Sequence, residues 1–180
     1  MGAFLMTQEY LDNTKKAMTW LGEQENTIFL GQTVEYPGSP MYNSLDGVPK
    51  SKKLEMPVFE DTQMGISIGL SLNEFVPITI FPRIDFLICA INQLINHLDK
   101  IEEMSKGIFK PKVIIRTIIG SKKPLNPGLQ HSQDHTELLK CGVKNVDIIK
   151  LEKEQDIFNS YKRALESDKS TILIEIRENY

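Results

Sequence analysis

Three short stretches of the chain carry side chains able to do chemistry. The first, Pro57-Val58-Phe59-Glu60-Asp61, brings two carboxyl groups to the start of a helical pattern. A carboxyl placed there can hold a proton against a ligand, with its ionisation set by burial and neighbours. It can equally do no more than favour the positive end of a helix, an effect of about 0.3–1 kcal/mol. The second stretch runs from Phe81 to Phe86. Phe86, on a helical stripe, ordinarily fills the core. The third, Gln130-His131-Ser132-Gln133, offers an imidazole. Its ordinary pKa of about 6.5 suits proton movement at neutral pH, although a lone loop histidine also reads as a solvated one. His97 falls inside a long helical pattern and His135 near the start of another, where packing or capping is expected of them. There is no glycine-rich phosphate loop, nucleophile elbow or metal-spaced cluster of His and Cys. Cys89 and Cys141 are too far apart for a metal motif and too few for a disulfide framework.

The elements that must position these stretches alternate between strands and helices. Positions 6–23 place Leu11, Thr14, Met18 and Leu21 at helical spacing, with Gly22 as a stop signal. Thr27 to Gly31 is a short β run closed by glycine. From Tyr36 to Lys53 the residues Pro37, Gly38, Pro40, Gly47 and Pro49 predict a long loop, of a kind that is often functional. Asp61 to Leu72 reads as a helix, and Gly65 and Gly69 on it predict the close approach of a second element. Val76 to Phe81 is a strand. Asp85 to Met104 is the longest helical pattern, with Phe86, Ala90, Leu94 and Leu98 along one stripe. Lys112 to Ile119 is almost continuously β-branched, as in a strand buried on both faces. Residues 120–133 form a loop held by Pro124, Pro127 and Gly128, followed by a strand from Asn145 to Leu151, a helix from Gln155 to Glu166 and a strand from Thr171 to Ile176. This alternation predicts an α/β fold, a three-layer sandwich with a mostly parallel sheet and helices on both faces. Residues 1–180 are expected to form one domain. In such folds ligands bind beyond the carboxyl ends of the strands, and that rule points to the same three stretches.

Composition narrows the function classes. A chain of 180 residues can bury roughly two-thirds of its unfolded surface, and 41% hydrophobic with 25% charged residues is ordinary for a globular protein. A formal charge of −3, with scattered lysines, gives no nucleic-acid or anionic-membrane surface. The apolar run Phe86 to Ile91 is too short to span a bilayer. No charged leader with an apolar stretch and a cleavage site opens the chain, and Met6 breaks the myristoylation pattern. A reduced, cytoplasmic protein is expected.

The order and spacing of the segments carry a resemblance. Its landmarks are Ile28-Phe29-Leu30-Gly31, then Pro57-Val58-Phe59-Glu60 before Met64-Gly65-Ile66-Ser67-Ile68-Gly69, and the helix Ala90-Ile91-Asn92-Gln93-Leu94-Ile95-Asn96. Met104-Ser105-Lys106-Gly107, a strand ending in Arg116 and Gln130-His131-Ser132-Gln133 complete them. From about Thr7 to Tyr180 the chain resembles the pyrimidine-binding domain of transketolase. More closely, it resembles the beta subunits of thiamine-diphosphate-dependent 2-oxo acid dehydrogenases. The resemblance implies the thiamine-diphosphate-binding fold and assigns roles. Glu60 matches the cofactor-activating glutamate, whose carboxyl at ring nitrogen N1′ favours the imino tautomer of the aminopyrimidine and so makes the cofactor's own amino group basic. Phe86 matches the aromatic ring that stacks on the aminopyrimidine. His131 matches the active-site histidine that stabilises or protonates the substrate-derived intermediate.

The chain also departs from the pattern. Where the family has Gly-Glu-x-Val, this chain has Gly31-Gln32-Thr33-Val34, so an amide, Gln32, is expected beside the cofactor and the reacting centre. The loop between Arg116 and His131 is slightly longer than usual, and its Lys122 and Lys123 either face an anionic substrate or stay solvated. The chain ends at Tyr180 after the last expected strand, so no C-terminal transketolase domain is expected. It has no Gly-Asp-Gly diphosphate motif, so no metal ligands are expected. The resemblance then implies a split enzyme, inactive alone, with thiamine diphosphate shared with an alpha-type subunit that holds the diphosphate and Mg2+, in an α2β2 heterotetramer. The implied reaction is decarboxylation of a 2-oxo acid or ketol transfer. The alternative is a non-catalytic assembly or regulatory domain with the same fold, which would need none of Glu60, Phe86 and His131.

Overall fold

Ile114, Ile115 and Ile118 are all buried, and they pack alternately into the two faces of the strand they form, so apolar layers must cover both sides. The computed structural model describes residues 2–123 and 126–176, with side chains from Gln8 onward. Pro124 and the terminus through Tyr180 lie outside the described residues. The elements are α1 (Gly2–Glu23), β1 (Thr27–Gly31), α2 (Pro40–Asn43), β2 (Lys53–Glu55), α3 (Glu60–Ser71), β3 (Val76–Phe81) and α4 (Ile84–Leu87). They continue with α5 (Ile101–Met104), β4 (Ile114–Ile119), α6 (Thr136–Gly142), β5 (Asp147–Leu151), α7 (Ile157–Glu166) and β6 (Thr171–Ile176).

The sheet runs β2-β1-β3-β4-β6-β5, and every pairing in it is parallel. Alternation along the strands sorts the core into two layers. Phe29, Ile78, Ile80, Ile114, Ile118 and Leu173 meet Met18 and Leu21 of α1 and Ile157 and Tyr161 of α7. Phe81, Ile115, Ile172 and Ile174 meet Met64 of α3, Leu87 of α4, the segment carrying Leu94, and Leu139 of α6. The expected three-layer α/β sandwich is therefore present, with a sheet that is parallel throughout its described strands.

Local differences from the sequence expectations have physical causes. The stretch read as one long loop contains α2 and a 3-10 turn at Lys50–Lys52, and β2 starts at its last residue, becoming a strand by pairing with β1 (Phe29↔Lys53, Gly31↔Glu55). The pattern over Asp85–Met104 is not one helix: α4 passes through a 3-10 turn at Ile88–Ala90 and a π-helical stretch at Gln93–Leu98 before α5. Its break falls at Asp99, whose buried carboxylate accepts backbone N–H groups from Lys144 (2.8 Å) and Asn145 (2.6 Å) and so draws the chain out of helical register. Gly65 lies only at ordinary contact distance from Gln93, and nothing approaches Gly69, so the close approach expected there is absent. His97 is exposed rather than packed.

The sheet also buries a charged pair. Arg116 donates to Glu175 through Nε (2.8 Å) and Nη2 (3.0 Å), and Tyr161 adds its hydroxyl at 2.6 Å. Both charged side chains are 0% exposed. Burial, with the Glu175 charge nearby, pushes the Tyr10 phenol far above its ordinary value.

Candidate functional site

Strand order reverses between β1 and β3, since β1 is followed by its outer neighbour β2 whereas β3 is followed by β4 on its other side. Such a reversal opens a crevice at the carboxyl ends of the two strands. β1 ends there in Gly31, with φ +149° and so close to the Ile80 carbonyl oxygen that a Cβ would clash. Gln32 follows, buried, and its Nε2 donates to Glu60 Oε1 at 3.0 Å. Glu60 is the first residue of α3 and half-buried.

From the other side of the crevice comes Phe86, on the short helix α4 beyond β3. It belongs to neither core layer, unlike Ala90, Leu94 and Leu98 of the same stripe. Its half-exposed ring and that of His131 form a T-shaped pair, with centroids 5.3 Å apart and planes at 86°. His131 ends a 3-10 turn at Leu129–His131. Its carbonyl oxygen lies so close to Gly120, just past β4, that any side chain there would collide with it.

Gln32, Met41, Pro82, Phe86, Ile118 and His131 line a cleft of about 430 Å³, with Arg83 also facing it. Glu60 does not line this cleft itself and stands one hydrogen bond behind Gln32. The fold thus gathers all four residues singled out in the sequence. Lys122 and Lys123 are exposed and are not part of the cleft lining. A second cleft of about 430 Å³, lined by Tyr36, Tyr42, Lys50 and Lys53 among others, contains none of the four.

Supporting residues that sequence patterns do not reveal complete the site. Asp85 Oδ1 accepts from Gln133 Nε2 (3.0 Å) and lies 3.8 Å from His135 Nε2, tying the His131 loop to α4. Its only local signal was adjacency to Phe86. Asp134 closes the same loop onto α6. Burial alone would raise its carboxyl, but bonds from Lys150 and from the side chain and backbone of Thr136 outweigh that and hold it at about 2. Among the described residues no group of three or more His, Cys, Asp or Glu is placed to hold a metal ion. None of the described helices is long and apolar enough to cross a membrane.

A six-stranded parallel sheet with a crevice at its switch point defines the structural class as doubly wound α/β. The chain shares 30% identity over 123 residues with the mitochondrial pyruvate dehydrogenase E1 component subunit beta of Ascaris suum, 67% of this chain and 33% of that one. With the corresponding subunit of Cyanidium caldarium it shares 28% over 116 residues, 63% of this chain and 35% of that one. With the 2-oxoisovalerate dehydrogenase subunit beta of Bacillus subtilis it shares 22% over 98% of this chain and 54% of that one. The chain therefore spans about a third to a half of the length of these curated relatives. No family model matches it. Among solved structures, a split gene transketolase described as an inactive beta4 tetramer superposes with a TM-score of 0.72 at 17% identity, over 93% of this chain and 51% of that one. By sequence the protein is a relative of the beta subunits of 2-oxo acid dehydrogenases, and by fold it is transketolase-like.

Proposed function

We propose that this chain binds the aminopyrimidine half of thiamine diphosphate, as the beta-type subunit of a two-component enzyme that decarboxylates a 2-oxo acid or transfers a ketol group. The observation that carries this reading is the Gln32–Glu60 hydrogen bond at 3.0 Å, beside a cleft where Phe86 and His131 stand edge to face. The residues fit the group. Ile118, Met41 and Phe86 give a largely apolar wall for a flat ring, and Gln32 and His131 give it polar contacts. The volume of about 430 Å³ is ordinary for a small-molecule site.

When bound, the cofactor supplies a nucleophilic carbon activated by its own amino group. The protein's part is to offer a carboxyl, Glu60, held by the Gln32 amide, to the ring nitrogen that controls that amino group. Phe86 offers a ring face against which the pyrimidine lies, and His131 a proton for the substrate.

A partner is part of the reading. Val58 (72% exposed) and Phe59 (63%), in the Glu60 stretch, and Leu129 (83%), beside the His131 stretch, are large apolar side chains left in solvent that a partner chain would cover. On this reading an alpha-type chain covers them, holds the diphosphate and Mg2+, and completes an α2β2 assembly. The inactive beta4 tetramer of the split gene transketolase accords with a beta chain that does not work alone. Residues 1–180 act as a single pyrimidine-binding domain, in the cytoplasm, without nucleic-acid or membrane partners.

The test is reconstitution. The purified chain is expected to show no turnover alone, and to turn over 2-oxo acid or ketose when mixed with its partner, Mg2+ and thiamine diphosphate. Glu60→Gln should fold normally and lower turnover of the mixture by at least ~10²-fold, the lower range of acid–base contributions. A fully active Glu60→Gln mixture overturns the assignment of Glu60. A stable complex without turnover favours the non-catalytic assembly role instead.

A further inference from the structure

We infer that Glu55 is a positioning residue for this site, acting through the backbone turn 33–35 to aim the Gln32 amide at Glu60; the functional part of this rests on the reading of Glu60 just given. Glu55 ends the edge strand β2, opposite Gly31 in the register. Its carboxylate collects three consecutive backbone donors: Thr33 N on Oε1 at 2.8 Å, and Val34 N and Glu35 N on Oε2 at 2.7 and 2.8 Å. Successive N–H groups converging on one anion form a nest, whose partial positive charge the carboxylate complements.

The turn needs such an anchor. Thr33 has φ +61°, in the left-handed region that a β-branched residue rarely enters. A conformation of that kind persists only where the surroundings over-determine it. From one side Val34 plugs the turn into the core, where it is fully buried. From the other side Glu55 takes the three N–H groups. Gln32 is the residue immediately before this turn, so the direction of its side chain follows from the turn's geometry.

The three bonds do not serve the sheet. Strand pairing and the bond from Met56 N to Gly31 O (2.8 Å) already tie β2 to the end of β1. What the carboxylate adds is the path of the chain after Gln32. The amide then reaches Glu60 Oε1 at 3.0 Å. The line of control therefore runs from Glu55 to the 33–35 turn, to Gln32, and to Glu60. Nothing in it requires Glu55 to touch cofactor or substrate.

The decisive measurement is made by NMR on the full chain, without cofactor or partner. In the wild-type background, Glu60→Gln should shift the side-chain amide signals of Gln32, because the two groups are bonded. A glutamine at 55 replaces one acceptor oxygen with an NH2 group that cannot accept an N–H, so in the Glu55→Gln background that response should disappear. Glu55→Asp keeps both acceptor oxygens on a shorter stem and should give an intermediate response. In the reconstituted mixture Glu55→Gln should lower kcat by ~10²-fold, the loss typical of a group displaced by about 1 Å, and Gln32→Ala should add little to that loss. An undiminished Gln32 response in the Glu55→Gln background overturns the inference. If Glu55→Gln does not fold, scalar couplings across the hydrogen bonds from Thr33, Val34 and Glu35 to the Glu55 carboxyl in the wild type decide instead, and their absence overturns it. A normal NMR response with no turnover in any mixture would strike the proposed function and leave the Glu55 positioning intact.

Discussion

The His131 imidazole and the ring of Phe86 stand edge to face, centroids 5.3 Å apart and planes at 86°. This contact joins two segments that leave neighbouring strands, β3 and β4, and it closes one wall of the switch-point cleft. An edge-to-face pair of this kind contributes about 0.5–1.5 kcal/mol beyond its buried area. It fixes the orientation of an imidazole carried on a loop, which matters more for a site than for a core.

Phe86→Leu should therefore change global stability little, by no more than about 1.5 kcal/mol in urea unfolding, because the ring is half-exposed. The His131 ring protons should lose the ring-current shift imposed by Phe86, and turnover of the reconstituted mixture should fall. Phe86→Tyr should preserve both. An unchanged His131 spectrum in Phe86→Leu would show that the contact does not orient the imidazole.

Gly120→Ala tests the other support of His131. A methyl group at that position would collide with the His131 carbonyl oxygen, so the loop must move away. Overpacking of this sort costs about 1–3 kcal/mol. The NMR signals of His131 and Phe86 should both shift, whereas Gln32 and Glu60, which leave other strand ends, should not.

The buried ion pair predicts asymmetric mutational effects. Arg116→Met leaves the Glu175 carboxylate in the core without its guanidinium partner, a loss of about 3–5 kcal/mol in unfolding free energy. Arg116→Met combined with Glu175→Leu should recover part of that loss, because neither member of this pair is left buried without the other. Recovery should be incomplete, since the Tyr161 hydroxyl then loses its bond to Glu175 (2.6 Å in the native protein). Chemical denaturation of the two single variants and the double variant measures the difference.

Two depressed carboxyls set a limit in acid. Asp134 is held at about 2, against an ordinary 3.8, because its bonds from Lys150 and Thr136 outweigh the effect of burial. Asp99 is lowered in the same way, its bonds from Lys100, Asn145 and Lys144 together outweighing desolvation. A carboxyl whose folded value lies below its unfolded one contributes stability that is complete above the unfolded value and is lost as pH falls through the folded one. The contribution of these two carboxyls to stability should therefore be constant down to about pH 4 and decline towards pH 2. Urea midpoints measured over that range should fall less steeply for Asp134→Asn than for the wild type. Equal slopes would remove Asp134 from the account.

Local sequence pattern determined the fold class and most strand positions. Val76–Phe81 and Thr171–Ile176 were legible because β-branched and apolar residues with two-sided burial leave few other conformations. The resemblance carried by order and spacing singled out Glu60, Phe86, His131 and Gln32, and the fold brings these four to one crevice. Tertiary structure alone decided the rest, since each remaining feature depends on a contact distant in the chain. Lys53–Glu55 has no period of its own and is a strand only because β1 lies beside it. The break at Asp99 comes from N–H groups of Lys144 and Asn145 that no helical stripe contains. Periodicity placed Phe86 on the same face as Ala90 and Leu94, but only the end of the sheet turned that part of the face from core into cleft. The service of Glu55 to Gln32 rests on the pairing of two strands, a relationship that a linear pattern does not encode.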